Sequence, residues 1–153
     1  MYVNLTSQKR MFVEGERLPI DHDKEQVAAL MLDAYRGTID DEGESIVEAR
    51  AEIDRTFNGE YGRFLPEFSR VVVRDSQIIS AILVTEWQGT PFIAFAMTAK
   101  AWQRKGLSKS CMINLMQDLY ESQYSILRLS VTTTNLPAVN LYVSLSFVSQ
   151  QNA

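Results

Sequence analysis

The 153-residue chain is 46% hydrophobic with a formal net charge of -4, which suits one packed domain over 1–153 and, for want of a dense basic surface, excludes a nucleic-acid partner. Its single cysteine, Cys111, and single histidine, His22, exclude an internal disulfide, a cysteine metal cluster and a histidine-based triad, and point to a reducing, cytoplasmic setting without a metal. The longest apolar run, Ile78 to Val84, is broken by Ser80 and is far shorter than the about 20 residues that span a bilayer, so neither a membrane partner nor a targeting segment is expected.

Taken in order, Met1 to Leu5 and Met11 to Val13 are short apolar pieces, one or both readable as a strand. A helix is expected from Asp23 to Tyr35, because Val27, Leu30, Met31 and Ala34 recur at three-and-four spacing. Asp21 or Asp23 is placed to cap it and Gly37 to stop it. Thr38 to Gly43 reads as an acidic connection. A second helix covers Ser45 to Phe57, with Ile46, Ala49, Ile53 and Phe57 on one face. Gly59, Gly62 and Pro66 then break the chain.

Beyond Phe68 the pattern turns to strands. Ser69 to Arg74, Ile78 to Trp87 and Phe92 to Thr98 are separated by turn signals at Asp75-Ser76 and at Gln88 to Pro91, the signature of an antiparallel meander. A helix follows from about Leu107, its stripe made of Leu107, Cys111, Leu115, Met116 and Leu119. The strand Ile126 to Val131 comes next, and strand, helix, strand implies a parallel pair. Pro137 to Leu145 is a short helix, and Phe147 and Val148 begin a last short strand.

Two local patterns carry chemistry. In Gln103-Arg104-Lys105-Gly106-Leu107-Ser108 a glycine lets backbone approach a ligand closely, the helix start offers free amides, and Arg104 and Lys105 add positive charge; this suits a phosphate group, and equally describes an ordinary strand-to-helix turn. In Asn135-Leu136-Pro137-Ala138-Val139-Asn140-Leu141-Tyr142, Asn135 can cap the helix. Tyr142 can serve either as a general acid or as a half-buried core aromatic.

Together, strand, Gln-x-x-Gly-x-Ser, helix, strand and Asn-x-Pro-Ala-x-x-Leu-Tyr-x-x-x-x-Phe closely resemble the GNAT superfamily of N-acetyltransferases. The two motifs cover Ala96 to Phe147. The upstream pair of helices and three strands extends the likeness over nearly the whole chain. The resemblance implies an α/β (α+β) fold with a mixed, mostly antiparallel central sheet, helices on both faces, and a parallel pair splayed at the cofactor site. It implies acetyl-CoA as acyl donor and a small amine or a peptide amine as acceptor, attacked directly without a cysteine intermediate.

By the same resemblance, the amides of Arg104, Lys105, Gly106, Leu107 and Ser108, with Gln103, would hold the pyrophosphate. Ala96, Met97 and Thr98 would bond the pantetheine arm like an added strand, Asn135 would sit beside the cofactor, and Tyr142 would protonate the departing thiolate. Ser108 stands where the family usually has Gly or Ala, and its hydroxyl is placed to contact a phosphate. The chain also ends soon after Phe147, where members often add a strand, which implies a shortened sheet or an edge covered by a partner, as in a homodimer. Phe92 to Thr98 holds no acid, so Glu86 is the candidate general base. The acidic segment Asp40 to Glu44 is a further source of acid, and Tyr35, Thr38, Asp41 and Glu42 are candidates for the acceptor site; acids before a helix also simply complement its dipole. The alternative reading is a non-catalytic acyl-CoA-binding or regulatory module of the same fold.

Overall fold

The computed structural model describes residues 1–150. In chain order the elements are β1 (Tyr2–Asn4), β2 (Glu16–Arg17), α1 (Lys24–Tyr35), α2 (Ile46–Phe57), β3 (Arg63–Phe64), β4 (Arg70–Arg74), β5 (Gln77–Trp87), β6 (Thr90–Thr98), α3 (Leu107–Glu121), β7 (Ile126–Leu129) and α4 (Leu136–Ser144). The sheet runs β1-β7-β6-β5-β4-β2, with β3 also paired to β5. Every pairing is antiparallel except β6 with β7. This is the mixed, mostly antiparallel sheet that the motifs implied.

The meander is closed by two two-residue turns. Asp75 and Ser76 have φ of 51° and 63°, and Gln88 and Gly89 have 50° and 78°. Two successive left-handed residues match the right-handed twist of a hairpin. Thr90 and Pro91, read from sequence as part of the second turn, instead begin β6 opposite Trp87 and Glu86, because a turn of this kind uses only two residues.

Helices cover both faces, which is why β5 is apolar almost throughout. Val27, Leu30 and Met31 of α1 and Ala49 and Ile53 of α2 pack on Ile78, Ala81, Leu83 and Met97. Met112, Leu115, Met116 and Leu119 of α3, with Tyr142 and Leu145, pack on Ile79, Ile82, Val84 and Ile93. Strict alternation fails at two places, and each is a bulge. Ile79 is skipped between the pairs Val72–Ser80 and Val73–Ile78. Ala94 is skipped between Leu83–Phe95 and Val84–Ile93. Each extra residue shifts the phase, so Ile78 and Ala81 share a face although they are three apart.

Residues of β1 pair with β7 from Tyr2–Arg128 to Asn4–Ile126, and Val148 adds one bridge to Tyr2. The chain's own N-terminal strand therefore flanks β7. Phe147 and Val148 contribute that bridge and no strand of their own.

Met11 to Val13 is not a strand either. The segment lies along α3, the Gln8 and Met11 amides donating to Gln117 Oε1 (2.6 Å) and Asn114 Oδ1 (2.8 Å). Phe12 points outward, 92% exposed. Asp23 precedes α1 without capping it, because its carboxylate accepts from Arg17 (2.7 and 2.9 Å) and from the Ile20 amide (2.8 Å).

Arg70, 5% exposed, ties β4 to β2 and to α3. Its guanidinium donates to Glu16 Oε1 (2.9 Å), to the Ser69 carbonyl (2.9 Å) and to Asp118. Breaking a largely buried pair leaves the opposite charges uncompensated. Arg70→Ala is therefore expected to lower unfolding free energy by about 3 kcal/mol, read as a fall in the urea midpoint.

Candidate active site

The bulge at Ala94 and the short overlap of the parallel pair shape the site. Strand β6 bonds to β7 only at Phe92–Arg128 and Ile93–Leu129. From Ala96 to Thr98 it pairs with β5 alone, so its other edge carries no partner strand among the described residues. A cleft of about 690 Å³ opens there. Its walls come from the end of α1 and the α1–α2 loop, from Ala96, Met97 and Thr98, from the β6–α3 turn, and from the start of α4.

The β6–α3 turn is built for backbone donation. Arg104 and Gly106 are left-handed, with φ of 63° and 77°. Gly106 is the residue before α3, and no side chain caps that helix. The first amides of a helix have no intrahelical acceptor, and the dipole adds positive potential beside them. A Cβ on Gly106 would meet nothing within 4 Å, so the turn is open on that side. The position needs glycine for its φ, not for packing.

Side chains around the turn brace it. Gln103 Nε2 donates to the Thr98 carbonyl (2.9 Å). The Ser108 hydroxyl is bonded to Thr98 Oγ1 (2.9 Å), which is bonded in turn to Ser80 Oγ (2.9 Å). Ser108 thus ties α3 to the sheet with the hydroxyl that the sequence assigned to a phosphate. Arg104 lies in the wall of the cleft. Lys105 does not; its ammonium sits over the Trp102 ring at 4.9 Å.

On the opposite wall the structure brings together Tyr35, Thr38, Asp40 and Asn135. Asn135 caps α4 by accepting from the Ala138 amide (3.3 Å), and its Nδ2 donates to Asp40 Oδ2 (3.1 Å). Asp40 Oδ1 accepts from Thr132 Oγ1 (3.0 Å). Asp40 is the sole carboxylate in the described wall, while Arg104 and Lys109 are its cations.

Tyr142 is 8% exposed, its ring edge-on to Phe147 at 5.7 Å. Burial pushes its hydroxyl up to about 12. Ala138 and Leu141 of the same helix line the cleft and Tyr142 does not, although it lies near the wall residue Tyr35. Burial first, and then the nearby Tyr142, Asp40 and Glu44, push the Tyr35 hydroxyl well above its usual range.

Besides Lys105 and Tyr142, three expected residues are not brought to the cleft wall. Asp41 accepts from the Gly37 amide (2.8 Å) and the Gly43 amide (2.9 Å), which hold its carboxyl below the usual range, and it pairs with Arg36. It shapes the loop. Glu42 bonds through its amide to Glu44 Oε2 (3.0 Å) and does not line the cleft. Glu86 also lies outside it. Its carboxylate accepts from Tyr124 (2.6 Å) and faces Arg63 (3.2 Å), and chiefly the Tyr124 bond lowers its pKa. That suits an ion-paired brace better than a proton acceptor.

Asp40, Ile39, Trp102 and Lys109 are among the wall residues that sequence reasoning did not single out. Asp40 was one of five neighbouring residues with nothing in the pattern to separate it. Among the described residues, no three His, Cys, Asp or Glu side chains gather where they could hold a metal.

The mixed sheet with a parted parallel pair, and the uncapped helix start at the parting, match the fold that the two motifs implied. The sequence profile of the acetyltransferase (GNAT) family matches residues 24–147, and the chain belongs to that family. Solved structures agree on the fold. The Escherichia coli ribosomal-protein-S18-alanine N-acetyltransferase is similar at 17% identity and a TM-score of 0.72, over 89% of this chain and 78% of that one. The Thermoplasma acidophilum PaiA N-acetyltransferase, solved with coenzyme A, is similar at 16% identity and a TM-score of 0.70, over 90% of this chain and 91% of that one. A longer acetyltransferase candidate from Pyrococcus horikoshii aligns at 15% identity and a TM-score of 0.70 over 95% of this chain, which spans 47% of its length. Among curated proteins there is no sequence match.

Proposed function

We propose that this chain transfers an acetyl group from acetyl-CoA to an amine, with both substrates held in the cleft beside β6. The observation that carries the reading is the uncapped start of α3, with left-handed Arg104 and Gly106, set against the free edge of β6. Amides of Gly106, Leu107 and Ser108 would hold the pyrophosphate. The backbone of Ala96 to Thr98 would bond the amide-bearing arm as an added strand would. The donor supplies an acetyl group activated as a thioester.

The chain's own part is to orient, exclude water and move protons. Cys111 is 1% exposed in the core, and burial pushes its thiol up to about 12. It is therefore no nucleophile at neutral pH, which favours direct attack by the amine. Tyr142, protonated throughout the neutral range, holds a proton at Oη for the departing sulfur. Tyr35 and Thr38 line the acceptor side.

The test is acetyl-CoA with a panel of amines, following thiol release and the mass of the acetylated product. Product with any amine supports the reading. Saturable acetyl-CoA binding with no product would favour the non-catalytic acyl-CoA-binding module. Glu86→Gln is expected to leave turnover unchanged; a large fall in kcat would return Glu86 to the chemistry.

A further inference from the structure

The cleft wall is electrically divided. Arg104 and Lys109 are contributed by the β6–α3 turn and α3, and Asp40 by the α1–α2 loop. The cationic side matches the phosphates of the donor, leaving Asp40 as the wall's anionic partner for a cationic acceptor. Both Asp40 oxygens accept from neutral groups, Thr132 and Asn135. These two bonds fix the carboxylate without neutralising it. Its chain neighbour Asp41 is spent on the loop backbone and Arg36.

The wall carries apolar side chains as well. Ile39, the chain neighbour of Asp40, lines the cleft and is 59% exposed, and Ala138 and Leu141 also line it. A large exposed apolar side chain beside a fixed charge suits a ligand with an apolar body and a charged end.

Resting on the acetyl-transfer reading, we infer that Asp40 is the acceptor-binding carboxylate. It receives the ammonium of a primary amine with a single positive charge carried on an aliphatic or aromatic body. Before attack that ammonium releases one proton to water. The neutral amine then displaces the thiolate, which takes the Tyr142 proton, and the second proton of the amine restores the tyrosine through water. Ile39 packs against that body. A second ammonium on the same molecule would lack a matching carboxylate in the wall, whose other charged residues, Arg104 and Lys109, are cations.

The test uses the whole chain with hexylamine and phenethylamine as apolar monocations and spermidine as a polar polycation. Amine binding is followed by calorimetry, and transfer by product mass. Wild-type kcat/KM should favour the apolar monocations by about tenfold or more, and Asp40→Asn should raise their KM by about tenfold, with a smaller change in kcat. Asn keeps the side chain's shape and an oxygen for Thr132, and the melting temperature checks the fold. Asp40→Glu should recover part of the binding. Ile39→Ser should raise KM for hexylamine but not for methylamine.

Equal use of spermidine and hexylamine, or an unchanged KM in Asp40→Asn, would overturn the inference while leaving acetyl transfer intact. Amine binding that depends on Asp40, with no acetylated product, would keep the inference and overturn the transfer reading. Absence of amine binding and of product together would overturn both.

Discussion

Gly106→Asp is expected to abolish measurable acetyl-CoA binding. The glycine has φ of 77° directly before α3, and a Cβ there projects into open space. The added carboxylate therefore has room to enter the region where the helix amides would receive phosphate. Like charges about 4 Å apart near a protein surface repel by about 4 kcal/mol, on the order of a thousandfold in Kd. The folding cost is smaller, about 1 kcal/mol for a left-handed non-glycine residue, and Asp is among the residues that tolerate it best. Gly106→Ala separates the two effects, since it carries the same backbone strain without the charge and should weaken binding only modestly. Equal loss in both variants would assign the effect to backbone strain. Unchanged binding in Gly106→Asp would place the phosphates elsewhere.

Tyr142→Phe is expected to lower kcat by roughly 100-fold while acetyl-CoA binding and stability stay near wild type. Phenylalanine keeps the ring that packs against Phe147, so the core is unchanged. What is lost is a hydroxyl that burial holds protonated up to about pH 12. Because that proton is retained across the neutral range, wild-type turnover should show no alkaline fall from Tyr142 below about pH 11. Single-turnover measurement separates the chemical step from release of products. A variant with unchanged kcat would leave Tyr142 as a core aromatic, the other role open to it from sequence.

The parts of this molecule that were legible in sequence are those set by local pattern. The apolar stripes of α1 and α3, the two-residue turn at Asp75-Ser76 and the glycine before α3 follow from periodicity and backbone freedom within a few residues. Other features depend on pairings between distant segments. β1 and β7 stand near opposite ends of the chain, and three residues of a short apolar piece do not say which edge they join. The bulges at Ile79 and Ala94 are invisible in a run that is apolar on both faces.

The same division applies to the site. Gly106 and Asn135 sit in motifs whose spacing is itself the signal. Asp40 differs from Asp41 only in which way the loop turns it: Asp41 faces the amides of Gly37 and Gly43, and Asp40 faces Thr132 and Asn135. Glu86 is at the right strand end, but alternation sets it toward Tyr124 and Arg63.

The most direct test of the central claim is an amide-resolved NMR titration with coenzyme A. The account predicts that the largest shifts fall on Arg104 to Ser108 and on Ala96 to Thr98, with saturation, and that Gly106→Asp removes them. Saturable shifts confined to other segments, or none at all, would contradict it.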